Sequence, residues 1–203
     1  MQQMPPLFLP LKFIEDRIIG AFLLVLFLPV IAIIALAISI FSPGPIFFYQ
    51  KRGGLQGKAF PIIKFRTMQK EAALDASVPQ AIPNDPRLTA LGTFLRRHSL
   101  DELPQLFNVV RGEMSLVGPR PHAVHHDTLF EKQCKDYALR FRVKPGLTGW
   151  AQVNGYRGLI HTDEDIRHRT ECDNYYIDHW SPWLEIRILF KTLLAPLWAR
   201  NAH

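Results

Sequence analysis

Two adjacent carboxylates, Asp101 and Glu102, stand in the segment Ser99-Leu100-Asp101-Glu102-Leu103-Pro104-Gln105-Leu106. Ser-x-x-Glu ahead of an apolar run is the spacing of a capping box, in which Ser99 satisfies a free amide at a helix start and Glu102 reaches back. Pro104 is tolerated in the first turn of such a helix. That reading needs no activity, yet it has a chemical corollary. Asp101 would lie at the positive end of a helix, where a carboxylate is held ionised. An ionised aspartate is a competent nucleophile towards phosphorus. Glu102 beside it offers the oxygen ligand that Mg2+ takes and often shares with a substrate's phosphates. A capped helix start and a catalytic pair are compatible, and these residues alone leave both open.

Cations gather around the pair in sequence. Arg96, Arg97 and His98 precede it, and Arg120 is held between Pro119 and Pro121. Arginine grips phosphate through a bidentate fork. Lys64 and Arg66 add further positive charge near the end of an apolar stretch. Each cation singly reads as a solvated surface group; together, beside two carboxylates, they suggest a site for a phosphorylated substrate.

The elements that must position these groups begin with a membrane-type segment. Ile18 to Gln50 carries no charged side chain, and Ile18 to Phe41 is almost all Leu, Ile, Val, Ala and Phe. A helix crossing a bilayer needs roughly 20 such residues, and the run is too long for a secretory signal core. Ser42-Pro43-Gly44-Pro45 ends it, because proline lacks the amide donor a helix needs. Lys12 and Arg17 precede the run, while Lys51, Arg52, Lys58, Lys64 and Arg66 follow it. Basic flanks favour the cytoplasmic side, so a straight span places one of them wrongly. Pro29, in the middle, favours a bend by which the helix enters and leaves through one leaflet. An ordinary kinked span is the alternative, since membrane helices tolerate proline.

Downstream, Ile46–Gln50 and Ala59–Met68 read as the strands of a hairpin around a glycine-rich turn. Residues 71–86, with three prolines, form a loop suited to a mobile lid. Helices are expected over 88–97, 103–110, 127–142 and 163–178, and a stiff loop over 118–121. The tail from Tyr175 to Trp198 mixes aromatics with Arg187 and Lys191. That is the composition of a helix in the headgroup region, or of a core helix. The fold class expected is therefore α+β: a mainly helical small domain with a short β-hairpin, a membrane helix within residues 1–45, and a catalytic domain over 46–203 ending in an interfacial helix.

Composition narrows the partners. The net charge is +6 over 203 residues, which admits nucleic acid, anionic lipid or a phosphorylated substrate. No nucleic-acid motif is present, and the basic residues are scattered. Cys134 and Cys172 are far apart in sequence, which fits a reducing compartment without a disulfide framework or a zinc site.

Five ordered motifs carry a resemblance. They are Lys64-Phe65-Arg66-Thr67-Met68, Asp85-Pro86-Arg87-Leu88-Thr89, the Ser99–Leu106 segment, Met114-Ser115-Leu116-Val117-Gly118-Pro119-Arg120-Pro121, and Lys144-Pro145-Gly146-Leu147-Thr148-Gly149-Trp150-Ala151-Gln152-Val153-Asn154-Gly155. In this order, from about residue 12 onward, the chain resembles the bacterial sugar transferases, the monotopic polyprenyl-phosphate phosphoglycosyl transferases. The resemblance implies transfer of a sugar 1-phosphate from a UDP-sugar to polyprenyl (undecaprenyl) phosphate, with UMP released. It places the chain at the cytoplasmic face of a bacterial inner membrane, at the first membrane step of exopolysaccharide, capsule or O-antigen assembly. It also implies a re-entrant membrane helix bent at Pro29. By resemblance Asp101 is the nucleophile, forming a transient phosphosugar bond, and Glu102 holds Mg2+. Arg96 and Arg120 would handle phosphate, with Lys64 in support; Arg66 is a candidate from its charge and position alone.

Two departures stand out. Leu28 precedes Pro29 where some members have serine, so a backbone group freed at the bend needs another partner. After Asn154-Gly155, Tyr156 replaces an arginine that some members use for the nucleotide sugar, and Arg157 follows. Gly155-Tyr156-Arg157-Gly158 looks more like members that take hexoses, so UDP-glucose or UDP-galactose is expected, with Arg157 as a binding residue. Many members carry a multi-span N-terminal domain, and the chain resembles the minimal form without it. A homodimer through the aromatic tail is also open. Two rival functions remain on the residues alone: a non-catalytic membrane anchor whose Ser-x-x-Glu is only a cap, and a metal-assisted diphosphate hydrolase.

Overall fold

The computed structural model describes residues 8–69, 85–160 and 162–198. Residues 71–84 of the proposed lid lie outside them. The described chain is mainly helical with two small two-stranded sheets.

Helix α1 runs Phe8–Phe41 and continues through Pro29. Most of its apolar surface is exposed, with Ile18, Phe22, Val25, Leu26, Ile33, Leu36 and Phe41 uncovered. One stripe is not. Leu23, Leu24 and Phe27 pack on the main core, and Ile31, Ile34 and Ile38 are buried against Phe65 and Leu95. Contact with the domain therefore continues on both sides of Pro29. At Gly20 an added Cβ would stand 2.8 Å from the Val109 Cγ1; the missing side chain lets α1 lie tight on the helix below.

Strands β1 (Phe47–Gly53) and β2 (Ala59–Phe65) form the hairpin. They pair antiparallel from Phe47 opposite Phe65 to Gly53 opposite Ala59. The hairpin sits as expected, but β1 continues through Lys51 and Arg52, which the sequence places in the turn. Asp85-Pro86-Arg87-Leu88-Thr89 is a structural motif here: Thr89 caps α2 (Ala90–Arg97), its Oγ1 accepting from the Gly92 amide at 2.9 Å.

A 3-10 turn at Leu100–Glu102 leads into α3 (Gln105–Arg111). Then come β3 (Ser115–Val117), α4 (Val124–Gln133), a 3-10 segment at Tyr137–Arg142 and β4 (Gly146–Thr148). Short α5 (Trp150–Val153), α6 (Asp163–Asp178) and α7 (Pro182–Trp198) complete the described chain. The helix expected over 127–142 is two pieces, because the Cys134 amide closes α4 on Phe130 and the following residues turn. The parallel pair β3–β4 has no counterpart among the sequence expectations; three-residue strands are too short to show a period.

Helix α7 has one buried and one exposed face. Leu184, Glu185 and Ile188 are buried, while Trp183, Ile186, Phe190 and Leu193 are exposed. Its buried Glu185 accepts from Lys12 at 2.6 Å and from Tyr176 and Trp180 at 2.7 Å each. Lys12 also meets Asp16 at 2.7 Å, and Asp16 accepts from the Ser115 hydroxyl at 2.6 Å. One buried polar cluster thus fastens the start of α1 to β3 and α7.

Candidate active site

The capping box expected at Ser99 is absent. Ser99 adopts a left-handed conformation with φ 58°, and its side chain caps nothing. Its hydroxyl instead accepts from Arg157 Nη2 at 2.6 Å. Glu102 does not reach back either, because three cations compete for it. Lys64 Nζ lies 2.7 Å from Oε1 and Arg120 Nη2 2.9 Å from the same oxygen. Arg157 Nη2 and Arg120 Nη1 each stand 3.5 Å from Oε2. A charge-assisted bond outweighs one to a neutral amide. The chain does carry a capping box, at Thr162 and Asp165, where the two hydrogen bonds are 3.2 and 2.9 Å.

Each element delivers one of these groups. Lys64 lies on β2, opposite Phe48. The turn bearing Glu102 is pinned to β2 through fully buried Asn108 on α3. Asn108 Oδ1 accepts from the Ile63 amide at 3.0 Å, and its Nδ2 donates to the Pro61 carbonyl at 2.8 Å. Arg120 leaves the end of β3 through Gly118-Pro119. Gly118 and Gly146 pass so closely that a Cβ on Gly146 would meet the Gly118 amide at 2.1 Å. Only glycine permits that crossing.

The two carboxylates are buried alike, Asp101 to 7% exposure and Glu102 to 8%, but are poised oppositely. Burial raises the Asp101 carboxyl above its ordinary range, and Glu102 adds to this. Lys64 chiefly, then Arg96 and Arg120, pull against it without prevailing. Burial would raise Glu102 too, but Arg120, Lys64 and Arg157 hold it well below the usual range. The positive helix end invoked from sequence therefore does not set the state of Asp101. Among the described residues no hydrogen bond reaches the Asp101 carboxylate. Its oxygens are unengaged, in a desolvated setting that leaves a carboxylate reactive.

Asp101, Glu102, Lys64, Arg96, Arg120 and Arg157 are thus brought together. Arg66 is not. It is 3% exposed and donates to the carbonyls of Ser42, of Pro43 at 3.2 Å and of Pro45 at 2.6 Å. Its work is to hold the exit of α1. Ser99 and Asn108 are site-building residues that sequence reasoning missed. A lone asparagine within the apolar run Leu106–Val110 was the signal for Asn108; Ser99 gave no signal that distinguished it from a cap.

The donor set bears on Mg2+. Among the described residues no three His, Cys, Asp or Glu side chains converge on a metal position. A cage built by protein alone is therefore not on offer. An ionised Glu102 with one oxygen only loosely held is, however, compatible with a metal shared between one carboxylate and a substrate's phosphates.

The site thus joins an unengaged buried carboxylate, a second carboxylate held well below the usual range, and four cations. The family model described as "Bacterial sugar transferase" matches residues 8–199. The UDP-glucose:undecaprenyl-phosphate glucose-1-phosphate transferase of Escherichia coli (strain K12) is 50% identical over 183 residues, 90% of this chain and 39% of that protein. Proteins of the same name from Xanthomonas campestris pv. campestris and Caulobacter vibrioides are 45% and 47% identical, over 97% and 95% of this chain. The chain covers 40% of the former and 72% of the latter, so it spans about two fifths of the first two relatives. A match of this extent settles the family: the chain belongs to the bacterial sugar transferases.

Proposed function

We propose that this chain transfers a hexose 1-phosphate, glucose 1-phosphate before galactose 1-phosphate, from a UDP-sugar to polyprenyl phosphate. The observation that carries the mechanism is the unengaged Asp101 carboxylate beside a Glu102 clamped by Lys64, Arg120 and Arg157. The names of the relatives support glucose and undecaprenyl phosphate as substrates.

An Asp101 oxygen attacks the sugar-bearing phosphorus of the donor. The bond from that phosphorus to the bridging oxygen breaks, and its electrons leave with UMP. A carboxyl–phosphate bond now holds the hexose phosphate on Asp101. A phosphate oxygen of the lipid then attacks the same phosphorus, forming the lipid diphosphate sugar and returning the Asp101 carboxylate. Each step conserves charge locally, so the protein's task is positioning and neutralisation. Lys64, Arg96, Arg120 and Arg157 are the groups that orient and neutralise the diphosphate. Mg2+, held by Glu102 and by substrate oxygens, would supply further neutralisation of the leaving phosphate. The two half-reactions imply ping-pong kinetics.

The membrane reading follows from α1. A straight 34-residue helix is about 51 Å long, and a hydrocarbon core is about 30 Å thick. Both ends of α1 nevertheless touch the domain, Lys12 at Glu185 and the residues after Phe41 at Arg66. A spanning helix would carry one end to the far side. This supports a helix that stays in one leaflet, with α7 at the interface, on the cytoplasmic face of the inner membrane.

The test is UMP release from UDP-glucose by the full chain in lipid, with and without undecaprenyl phosphate and Mg2+. Lipid-dependent turnover and a hexose-phosphate mass increment on the trapped protein support the transfer. Sugar phosphate released to water without lipid would instead identify a hydrolase.

A further inference from the structure

Behind the site lies a buried charged network that the transfer chemistry does not use. It comprises Arg140, Asp173, Arg169, His122, Tyr137 and Asp127, all nearly inaccessible. Arg140 Nη2 meets Asp173 Oδ2 at 2.7 Å and also donates to the backbone carbonyl of Arg120 at 2.7 Å. Arg169, on the same face of α6 as Asp173, donates through Nη2 to the carbonyl of Gly158 at 2.6 Å. His122 stands between the two guanidiniums, its Nδ1 2.7 Å from Arg140 and its Nε2 3.1 Å from Arg169. Burial and both arginines hold that ring neutral. Tyr137 closes the far side by donating to Asp127 at 2.6 Å.

The two carbonyls held are not arbitrary. One belongs to Arg120 and the other to the neighbour of Arg157, and these two side chains meet Glu102 at Oε1 and Oε2 respectively. Neither Arg140 nor Arg169 makes a hydrogen bond to Asp101 or Glu102. Burying two extra guanidiniums is costly, and among the described residues Arg169 Nε has no partner. A hydrophobic pair would fill the space at less cost, so the arginines are explained by what they hold.

We propose that Arg140 and Arg169 are positioning residues: a brace anchored on α6 that fixes the Arg120 loop and the Arg157 loop at a set spacing around Glu102. This rests on the transferase reading above. Arg169 then acts through Arg157, which makes it open to a double-mutant cycle.

The experiment measures kcat/KM for UDP-glucose in UMP release by the full chain, for wild type, Arg169→Met, Arg157→Ala and the double variant. Methionine keeps the stem packing and removes the guanidinium. Misplacement of a loop near the chemistry costs on the order of a hundredfold, and Arg169→Met is expected to lose that much. The double variant is expected to fall no further than about threefold below the worse single variant. Arg169→Lys, which can still donate to the Gly158 carbonyl, should recover most of the loss. A double variant whose losses multiply overturns the brace, and so does an Arg169→Met variant with full activity. If Arg169→Met fails to fold by thermal melt, Arg169→Gln, whose amide is too short to reach the Gly158 carbonyl, takes its place in the cycle, with multiplying losses again overturning the brace; if that fails too, Arg169 is a fold residue and the proposal is wrong. A wild-type chain that releases no UMP overturns the transferase reading and the brace together, whereas an active wild type with a multiplicative cycle removes the brace alone.

Discussion

Burial acts on Asp101 and Glu102 equally, and the cations decide between them. Glu102 receives close donors from Lys64 and Arg120, whereas Asp101 receives fields from the same groups without a bond. Opposite consequences for stability follow. Asp101 has a folded-state carboxyl raised above its unfolded value, so its contribution is complete below the unfolded value and is lost as pH rises through the folded one. Ionised Asp101 therefore weighs against the fold at neutral pH. Asp101→Asn is expected to melt no lower than wild type at pH 7, its margin growing as pH rises from the unfolded to the folded value and constant above it. The same change should abolish UMP release, by on the order of a thousandfold or more, and prevent the hexose-phosphate adduct. Near-wild-type turnover in that variant would exclude the covalent route. Glu102 is depressed, so its contribution is present above the unfolded value and is lost as pH falls through the folded one. Glu102→Gln leaves Lys64 and Arg120 without their partner and should cost about 3 kcal/mol by denaturant titration at pH 7, with little cost at a pH below the folded value. The acid limb of the UMP-release profile should follow Asp101 and lie above the ordinary aspartate range. The pair was legible from adjacency and its cations. The local geometry was not, because Ser-x-x-Glu at 99 and Thr-x-x-Asp at 162 look alike in sequence, and only the folded arrangement of Lys64, Arg120 and Arg157 sets them apart.

Elements with a long, regular period were read closely: α6 spans the residues expected for it, 163–178. Elements made by distant pairing were not, since β3 and β4 owe their existence to the Gly118–Gly146 crossing and not to any run of their own. The tail resisted a single reading because α7 has two apolar faces, one for the core and one uncovered. The Lys12–Asp16–Glu185 cluster was equally hidden, as its members are separated by 173 positions. Its energetics can be checked. Lys12→Met buries two carboxylates without a cation, and breaking such a pair costs about 3–5 kcal/mol. Amide exchange along 182–198 should accelerate before the hairpin loosens; uniform exchange throughout would mean that the cluster is not what seats α7.

At the scale of the whole molecule, the exposed residues of α1 and the Trp183–Leu193 stripe of α7 are two apolar surfaces that water does not tolerate at this extent. They are expected to enter the same leaflet. Trp183→Glu with Phe190→Glu should release a large part of the chain from anionic vesicles while leaving the fold intact by melt. Labels at residues 2 and 202 should both react from the cytoplasmic side of sealed inverted vesicles; protection of either one would establish a span. The buried stripe of α1 has a practical corollary. Ile31, Ile34 and Ile38 roof over Phe65 and Leu95, and Gly20 seats α1 on Val109. Trimming the chain to begin at residue 46 would unroof that interior and sever the Arg66 clamp at once. A detergent-free fragment made this way should precipitate, for the long apolar helix closes one side of the domain's hydrophobic interior and cannot be cut away like a tether.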